Sequence, residues 1–294
     1  MLFRSRVALL AATSPEFLVL FFACQYAGLI PVPMPLPTAF GRREAYIDQI
    51  KGQITSSAAR MVLGPQEFLP YVVEAAQGLA IALIGDLSAV AALPEGKGEL
   101  TPGRVQDLSY IQYSSGSTRF PKGVMVTHAS LMANCRGMNQ FGIQTREGDR
   151  GMSWLPFFHD MGLVGFVMCG ITSQTSVDFI ATEDFARRPL TWLKVFSDNG
   201  ATVTYAPSFG YELCARRVST MAEGALDIDL SRWRLAGIGG EMIKPQVMRA
   251  FADAFRPYGF SDTAFCASYG LAETVLAVSF SGNNAGLKIG RAHV

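Results

Sequence analysis

The sequence lacks the features that mark several large classes of protein. Its charges are balanced, with 25 Lys and Arg against 24 Asp and Glu in 294 residues, and no basic run is present. This excludes a protein that binds nucleic acid mainly through phosphate contacts. No G-x-G-x-x-G motif follows an apolar strand pattern, which excludes an ordinary dinucleotide-binding oxidoreductase. No apolar run reaches the roughly 20 residues of a membrane-spanning helix, while an apolar fraction of 49% predicts a folded core.

Cysteine and histidine are also scarce. The five cysteines are odd in number and form no C-x-x-C pair. This pattern argues against a disulfide framework and favours reduced thiols in a cytoplasmic protein. The three histidines, His128, His159 and His293, lack the spacing of zinc ligands, and His128 is interpreted as a structural residue at a helix start.

Both termini can be back-translated into sequencing-adaptor DNA. Codons for residues 1–5 can match one strand of a common short-read adaptor, and codons for residues 288–294 can match the other. We therefore expect residues 6–287 to be the native part of the chain, the gene to continue on both sides, and His293 to have no function.

Apolar strand patterns alternate with amphipathic helix patterns along the chain, as in parallel βαβ units. The predicted fold class is α/β, with mostly parallel sheets covered by helices on both faces. We expect Pro31–Pro37 to be an extended connector and residues 270–278 to form a helix. In such sheets ligands bind beyond the carboxyl ends of the strands. The loops to inspect are those after Tyr113, Leu155, Tyr205, Ile238 and Cys266.

The loop after Tyr113 is rich in hydroxyls and glycine and contains one lysine, Lys122. Backbone N–H groups beside glycine, hydroxyls and an ammonium suit a polyphosphate, although the spacing is not that of a Walker loop. A polar hairpin without a ligand is the alternative. The predicted phosphate-binding residues are Ser114, Ser115, Gly116, Ser117, Thr118 and Lys122.

This segment, Tyr-Ser-Ser-Gly-Ser-Thr-x-x-Pro-Lys-Gly, strongly resembles the phosphate-binding signature of the adenylate-forming enzymes. That superfamily includes acyl-CoA synthetases, fatty acyl-AMP ligases and the adenylation domains of peptide synthetases. One position departs from the pattern, since Arg119 stands where glycine is usual. The resemblance implies the large-domain fold of these enzymes, here incomplete.

The loop after Leu155 contains Pro-Phe-Phe-His-Asp-Met-Gly. A histidine beside an aspartate and two phenylalanines can orient a carboxylate next to an apolar pocket, although a plain helix start would explain the same residues. The segment resembles the fatty acyl-AMP ligase version of this loop. The resemblance places His159 near the acyl carboxylate.

Three further loops resemble the same superfamily in the same order. The segment after Tyr205 is similar to the Pro-x-Phe-x-Tyr-x-Leu-Cys of the subfamily, although Phe209, Tyr211 and Leu213 also fit a helix core. The turn after Ile238 resembles an adenine-binding turn, and the segment after Cys266 resembles Tyr-Gly-x-x-Glu. Taken alone, these would be an ordinary strand-to-helix turn and a first-turn helix acid. The resemblance implies that AMP is bordered by Gly239, Gly240, Glu241, Ser268, Tyr269 and Gly270.

The implied reaction joins a carboxylate to ATP, giving an acyl-adenylate and pyrophosphate. An ionised carboxylate needs no general base, so positioning and charge neutralisation must supply catalysis. The resemblance implies that Thr118 and Glu273 hold Mg²⁺, and that Lys122, His159 and Glu273 are catalytic. The acyl chain, or simply the core, would contact Trp154, Phe158, Phe209 and Met242.

We expect the acyl group to pass to an acyl carrier protein or a polyketide or peptide synthetase module. Transfer to CoA is the alternative within this chemistry, and a non-catalytic acyl or nucleotide sensor is the alternative outside it. The family's ribose-binding Thr-Gly-Asp segment and its mobile C-terminal domain are absent from the sequence. The chain alone is therefore expected to be inactive or nearly so.

Overall fold

A computed structural model describes residues 5–37, 42–94, 100, 102–114, 122–222 and 224–287. The chain divides into two compact units. The first comprises the residues up to Leu131 together with Pro156–Asp160, and the second comprises Met132–Leu155 and the residues from Met161 onward. Strands alternate with helices along the chain, and most strand pairs are parallel, which confirms the predicted α/β class.

The first unit contains a four-stranded parallel sheet and an antiparallel strand pair. The sheet has the order β2-β1-β3-β4, with strands β1 (Arg6–Leu10), β2 (Ile30–Met34), β3 (Ala59–Leu63) and β4 (Leu83–Gly85). The antiparallel pair is β5 (Leu108–Tyr113) and β6 (Gly123–Thr127). The helices that begin in this unit are α1 (Pro15–Tyr26), α2 (Arg43–Ser57), α3 (Leu69–Ala75), α4 (Leu87–Ala91) and α5 (His128–Gly137).

Strand β2 corrects the prediction of a proline-rich connector. Pro31 and Pro33 lie inside a fully buried strand that pairs in parallel with β1. This strand is at the edge of its sheet, where proline is tolerated because one side of the strand needs no ladder hydrogen bond. The connector was therefore predicted correctly as extended but wrongly as lying outside the sheet.

The core of the first unit is an apolar cluster contributed by the sheet, α2 and α3, with Ile50, Val62 and Val72 fully buried. Two hydrogen bonds from Gln25 of α1 to Ser109 of β5, at 2.7 and 3.2 Å, attach the antiparallel pair to the rest of the unit. These hydrogen bonds therefore fasten strand β5 to helix α1.

The second unit contains a six-stranded sheet in the order β12-β11-β10-β9-β7-β8. Its strands are β7 (Arg150–Ser153), β8 (Ser176–Phe179), β9 (Val203–Ala206), β10 (Leu235–Ile238), β11 (Phe265–Gly270) and β12 (Ala277–Phe280). The remaining helices are α6 (Asp160–Gly162), α7 (Cys169–Ser173), α8 (Thr182–Arg187), α9 (Leu190–Asp198), α10 (Ser208–Val218) and α11 (Pro245–Phe255). Two π-helical turns are Met138–Gly142 and Leu163–Met168.

The prediction of a helix over residues 270–278 is wrong. Strand β11 runs to Gly270, a short 3₁₀ turn spans Ala272–Thr274, and the chain returns as β12, antiparallel to β11. A Cβ atom at Gly270 would lie 1.9 Å from the carbonyl oxygen of Leu276, so only glycine permits this close approach. Glu273 therefore lies in a tight turn and not in the first turn of an α-helix.

An aromatic cluster forms much of the core of the second unit. The rings of Trp154 and Phe185 are stacked with centroids 3.7 Å apart, and Trp192 and Tyr211 lie edge-on at 5.4 Å. Such pairs contribute about 0.5–1.5 kcal/mol beyond the area they bury. The cluster continues through Trp233, Phe251, Phe260 and Phe265.

The five cysteines are buried and free, as the absence of a disulfide pattern predicted. Among the described residues, no helix combines the length and the apolar character needed to cross a bilayer.

A buried ion pair between Arg234 and Asp149 connects the start of β10 to the turn before β7. The Arg234 Nε donates to Asp149 Oδ1 at 2.7 Å, and the same oxygen accepts from the hydroxyl of Thr202 at 2.9 Å. Arg234 also donates to the carbonyl oxygen of Ile143. Burial raises the pKa of Asp149, but these hydrogen bonds and one from the N–H of Arg146 outweigh it and hold the pKa below its ordinary value.

We predict that Asp149→Asn lowers the free energy of unfolding by about 2–4 kcal/mol, because it leaves the Arg234 guanidinium buried without its counter-ion. Since the folded pKa of Asp149 is depressed, its stabilisation is present above the unfolded pKa of about 4. It is lost as the pH falls through the folded pKa. Urea unfolding at several pH values measures both effects. Asp253→Asn, which breaks an exposed ion pair with Arg256, is the matched control, and an equal loss in both variants would contradict the prediction.

Candidate active site

The strand ends partly match the predicted loop positions. Strands β5 and β10 end at Tyr113 and Ile238, as predicted. Strand β11 does not end at Cys266 but continues to Gly270. Ser268, Tyr269 and Gly270 therefore lie in a strand, and β12 pairs with their outer side.

In the first unit, Ser114 and Lys122 close the mouth of the loop between β5 and β6. The Ser114 N–H donates to the carbonyl oxygen of Lys122 at 3.0 Å, and the Lys122 side chain is exposed. The predicted phosphate-binding residues Ser115, Gly116, Ser117 and Thr118 lie outside the described residues. Lys122 therefore lies where the loop returns to the chain of β6.

The segment Pro156–Asp160 belongs to the same unit as this loop. The His159 N–H donates to the carbonyl oxygen of Pro156 at 3.1 Å, and the His159 Nδ1 lies 2.8 Å from Asp160 Oδ1. Phe157 is buried with its ring 5.6 Å from that of Phe17 in α1, whereas Phe158 is half-buried. The imidazole is therefore held by its backbone and by its neighbouring carboxylate.

Gln112, in β5, connects this segment to the strand that leads into the hydroxyl-rich loop. Its Nε2 donates to the carbonyl oxygen of Phe158 at 2.6 Å and to that of Tyr113 at 3.3 Å. The side chain is 1% exposed. Sequence reasoning missed this residue, although a glutamine two residues before the predicted phosphate loop was a visible signal.

In the second unit, the turn after β10 adjoins β11. A Cβ atom on Gly239 would lie 2.9 Å from the Ser268 hydroxyl, and Gly240 has a φ of +80°, a conformation that favours glycine. The Ser268 hydroxyl donates to the carbonyl oxygen of Ile238 at 3.1 Å. Two of the predicted AMP-bordering segments are thus in direct contact.

The side chain of Glu241, in the turn after β10, contacts the start of α10. Its Oε1 accepts a hydrogen bond from the N–H of Phe209 at 3.0 Å. The Lys244 N–H donates to the hydroxyl of Ser208 at 3.3 Å, which fastens the other end of the turn to the same helix. A carboxylate here satisfies one of the unpaired N–H groups at a helix start and interacts favourably with the helix dipole.

The residues predicted to contact an acyl chain have different environments. Trp154 is buried against Phe185, and its indole N–H has no acceptor within the described part of the chain. Phe209 is 42% exposed and lies edge-on to Trp154 at 5.6 Å, and Met242 is 86% exposed. The core alternative is therefore right for Tyr211, which is fully buried, and wrong for Phe209.

Tyr269 is 63% exposed, and Glu273 is exposed in the turn that follows β11. No group of three or more His, Cys, Asp or Glu side chains that could enclose a metal occurs among the described residues. A single exposed carboxylate fits Mg²⁺ that is held mainly by phosphate oxygens and water. Glu273 therefore fits the ion that the motif implies.

Comparisons with known proteins decide the family. The model of the family described as AMP-binding enzyme matches residues 3–292. The chain belongs to this family. The loop motifs described above therefore occur in a chain that belongs to the family they resemble.

Solved structures similar to this chain include fatty acyl-adenylate ligases. One, from a study of these ligases in E. coli and L. pneumophila, has 46% sequence identity and a TM-score of 0.91, and the match covers 96% of this chain and 50% of that one. A fatty acyl-adenylate ligase of L. pneumophila in complex with acyl adenylate and pyrophosphate has 30% identity and a TM-score of 0.84, covering 97% and 49%. These matches confirm the predicted fold.

Among curated proteins, a long-chain-fatty-acid–AMP ligase of Mycolicibacterium smegmatis is 34% identical over 93% of this chain and 44% of its own length. A protein of Caulobacter vibrioides provisionally named an acyl-CoA synthetase is 48% identical, over 96% of this chain and 49% of its own. The chain spans about half the length of these relatives.

We predict that Glu241→Ala lowers the free energy of unfolding by about 0.5–1 kcal/mol, because it removes the hydrogen bond at the start of α10. Chemical unfolding followed by circular dichroism measures the loss. Glu212→Ala, which breaks only an exposed pair with Arg216 on the same helix, is expected to have a smaller effect. Equal stability of Glu241→Ala and the unchanged chain would contradict the assigned contact.

Proposed function

We propose that this chain is part of an enzyme that activates a fatty acid with ATP, forming an acyl-adenylate and releasing pyrophosphate. The observation that carries the proposal is the arrangement within the first unit. Gln112 joins the His159 segment to β5, the strand that leads into the hydroxyl-rich loop closed by Lys122. Groups suited to a carboxylate and to a polyphosphate are thereby attached to one strand end.

In the proposed reaction, an oxygen of the fatty acid carboxylate attacks the α-phosphorus of ATP, and the bond from that phosphorus to the bridging oxygen of pyrophosphate breaks. No proton must be removed, because the carboxylate is already ionised at pH 7. The barrier comes from bringing two anions together and from the charge that moves onto pyrophosphate. Positioning and charge neutralisation are the effects that lower it.

The residues have the following proposed roles. The Lys122 ammonium neutralises charge at the pyrophosphate end, together with the hydroxyls of Ser114, Ser115, Ser117 and Thr118. His159, held by Asp160, orients the acyl carboxylate. Mg²⁺ would be held by Glu273 and Thr118 and would supply positive charge to the phosphate oxygens.

The nucleotide and the acyl chain are assigned to residues of the second unit. AMP is bordered by Gly239, Gly240, Glu241, Ser268, Tyr269 and Gly270. The acyl chain is assigned to Trp154, Phe209 and Met242. Phe209 and Met242 expose apolar surface, and Trp154 lies edge-on to Phe209. In the first unit, Phe158 is proposed to contact the acyl chain.

We propose an acyl carrier protein, or a synthetase module that contains one, as the acceptor of the acyl group. A relative from Moorena producens, 32% identical over 93% of this chain, is named a medium-chain-fatty-acid–[acyl-carrier-protein] ligase, which supports this choice. The Caulobacter relative favours CoA as the alternative acceptor. Parallel assays of the complete gene product with each acceptor distinguish the two. A cytoplasmic location remains a prediction from the cysteine pattern.

We predict that Lys122→Met weakens binding of ATP with Mg²⁺ by about tenfold, because the loss of one ammonium near a polyphosphate removes roughly 1–2 kcal/mol. Binding of adenosine should be unchanged. Isothermal titration calorimetry of the purified chain measures both affinities. Lys51→Met, in an exposed position of α2, is the control, and an equal effect of both substitutions would contradict the role of Lys122.

We also predict that the 294-residue chain binds a non-hydrolysable acyl sulfamoyl-adenosine but catalyses almost no fatty-acid-dependent ATP–pyrophosphate exchange. The reason is that the chain spans about half the length of its relatives, so catalytic groups from the remainder would be missing. Radiolabel exchange with pyrophosphate measures the activity. Robust exchange by the chain alone would refute the expectation.

A further inference from the structure

We infer that Gln112 is a positioning residue that sets the orientation of the His159 imidazole. The inference rests on the proposed function for its catalytic meaning, but its structural part can be tested separately. Gln112 has no motif role in the sequence and is not among the predicted site residues. It stands out because its amide contacts the peptide group immediately before His159.

The direction of the Gln112 amide follows from its neighbours. Both of its partners, the carbonyl groups of Phe158 and Tyr113, are acceptors. Only the nitrogen end of the amide can face two acceptors, since an oxygen in that place would be repelled. The amide oxygen is then directed elsewhere, where it is buried and has no donor within the described part of the chain.

Two hydrogen bonds leave the peptide that joins Phe158 to His159 little freedom. The Phe158 carbonyl belongs to the peptide that joins Phe158 to His159, and Gln112 donates to it at 2.6 Å. The N–H of that same peptide donates to the Pro156 carbonyl at 3.1 Å. Both polar groups of one planar unit are thus hydrogen-bonded, which fixes the plane from which the His159 side chain departs.

The side chain of His159 is then held by Asp160, whose Oδ1 lies 2.8 Å from Nδ1. Removing the Gln112 donor would leave the Phe158 carbonyl without that bond at the buried end of β5, and the peptide could rotate. A carboxylate bound by the imidazole must meet the α-phosphorus in line, so a small rotation is expected to affect the acyl ligand strongly. A nucleotide without an acyl group should not detect the change.

A buried glutamine with one unpartnered amide oxygen needs an explanation, because an apolar residue of similar size would avoid that unpaired group. Core filling alone gives no reason to keep it. Its two donated bonds, one of them to the His159 peptide, supply the reason. Gln53 provides a comparison, since it is also buried in this unit with an unpartnered Oε1 but, among the described residues, is hydrogen-bonded to Ser56, Ser57 and Tyr113 and not to the His159 segment.

The test uses the purified 294-residue chain with isotope-labelled histidine, in which His128 and His159 are observed by two-dimensional NMR. We expect Gln112→Met to shift the ring signals of His159 while those of His128 stay in place. The matched control, Gln53→Met, should leave the His159 signals unchanged. Unchanged His159 signals in a folded Gln112→Met chain would overturn the inference.

A second measurement gives the functional consequence. Gln112→Met should weaken binding of a long-chain acyl sulfamoyl-adenosine by at least about tenfold, while AMP binds as before. Equal weakening of both ligands would mean a general structural role and would overturn the positioning role. If the unsubstituted chain binds neither ligand, the proposed function fails, and the NMR comparison alone decides whether Gln112 orients His159.

If Gln112→Met does not fold, the unsubstituted chain still decides the structural part. The two Nε2 protons of Gln112 should give nuclear Overhauser cross-peaks to the backbone protons of Phe158 and His159. They should also exchange slowly with solvent, because they are buried and hydrogen-bonded. The absence of these cross-peaks from an assigned spectrum would overturn the inference.

Discussion

The parallel direction of the strands in the second unit is the constraint on which its candidate site depends. Because β9, β10 and β11 run the same way, the segments that leave their carboxyl ends must emerge at one edge of the sheet. This is why the turn that begins at Gly239 contacts Ser268, and why Glu241 reaches the start of α10. The register of the strands, and not the chemistry of any single side chain, brings these residues together.

In the first unit, an antiparallel strand pair carries the candidate residues. Strand β5 has to carry the hydroxyl-rich loop and also support the His159 segment, which returns to this unit from a distant part of the sequence. Gln25 fixes β5 from one helix, and Gln112 fixes the returning segment to β5. Buried polar side chains are unfavourable unless they are hydrogen-bonded. The hydrogen bonds of Gln25 and Gln112 offset this cost and fix the positions of β5 and of the His159 segment.

Much of this arrangement was predictable from the sequence. The strand and helix alternation and the loops after Tyr113 and Ile238 follow from apolar periodicity. The family follows from the resemblance of the loop motifs. The two wrong elements have physical explanations. The prolines of β2 led to the prediction of a connector, because the sequence alone does not show which strand will lie at the edge of a sheet. The segment after Gly270 was predicted as a helix, because its local pattern does not show that the chain turns back and pairs β12 with β11, bringing Gly270 against Leu276.

The missed contacts share one property, which is that the two partners are far apart in the sequence. Gln112 contacts a segment 46 residues further along, and Glu241 contacts the N–H of a residue 32 positions earlier. Local pattern gives no sign of either bond.

The central claim is that this chain binds an acyl-adenylate through the predicted site residues. Amide hydrogen exchange measured by mass spectrometry, with and without a long-chain acyl sulfamoyl-adenosine, tests this most directly. The account predicts slower exchange in the peptides that contain His159 and also in those that contain Gly239–Met242 and Ser268–Gly270. Protection confined to one of these groups, or found only elsewhere in the chain, would contradict it.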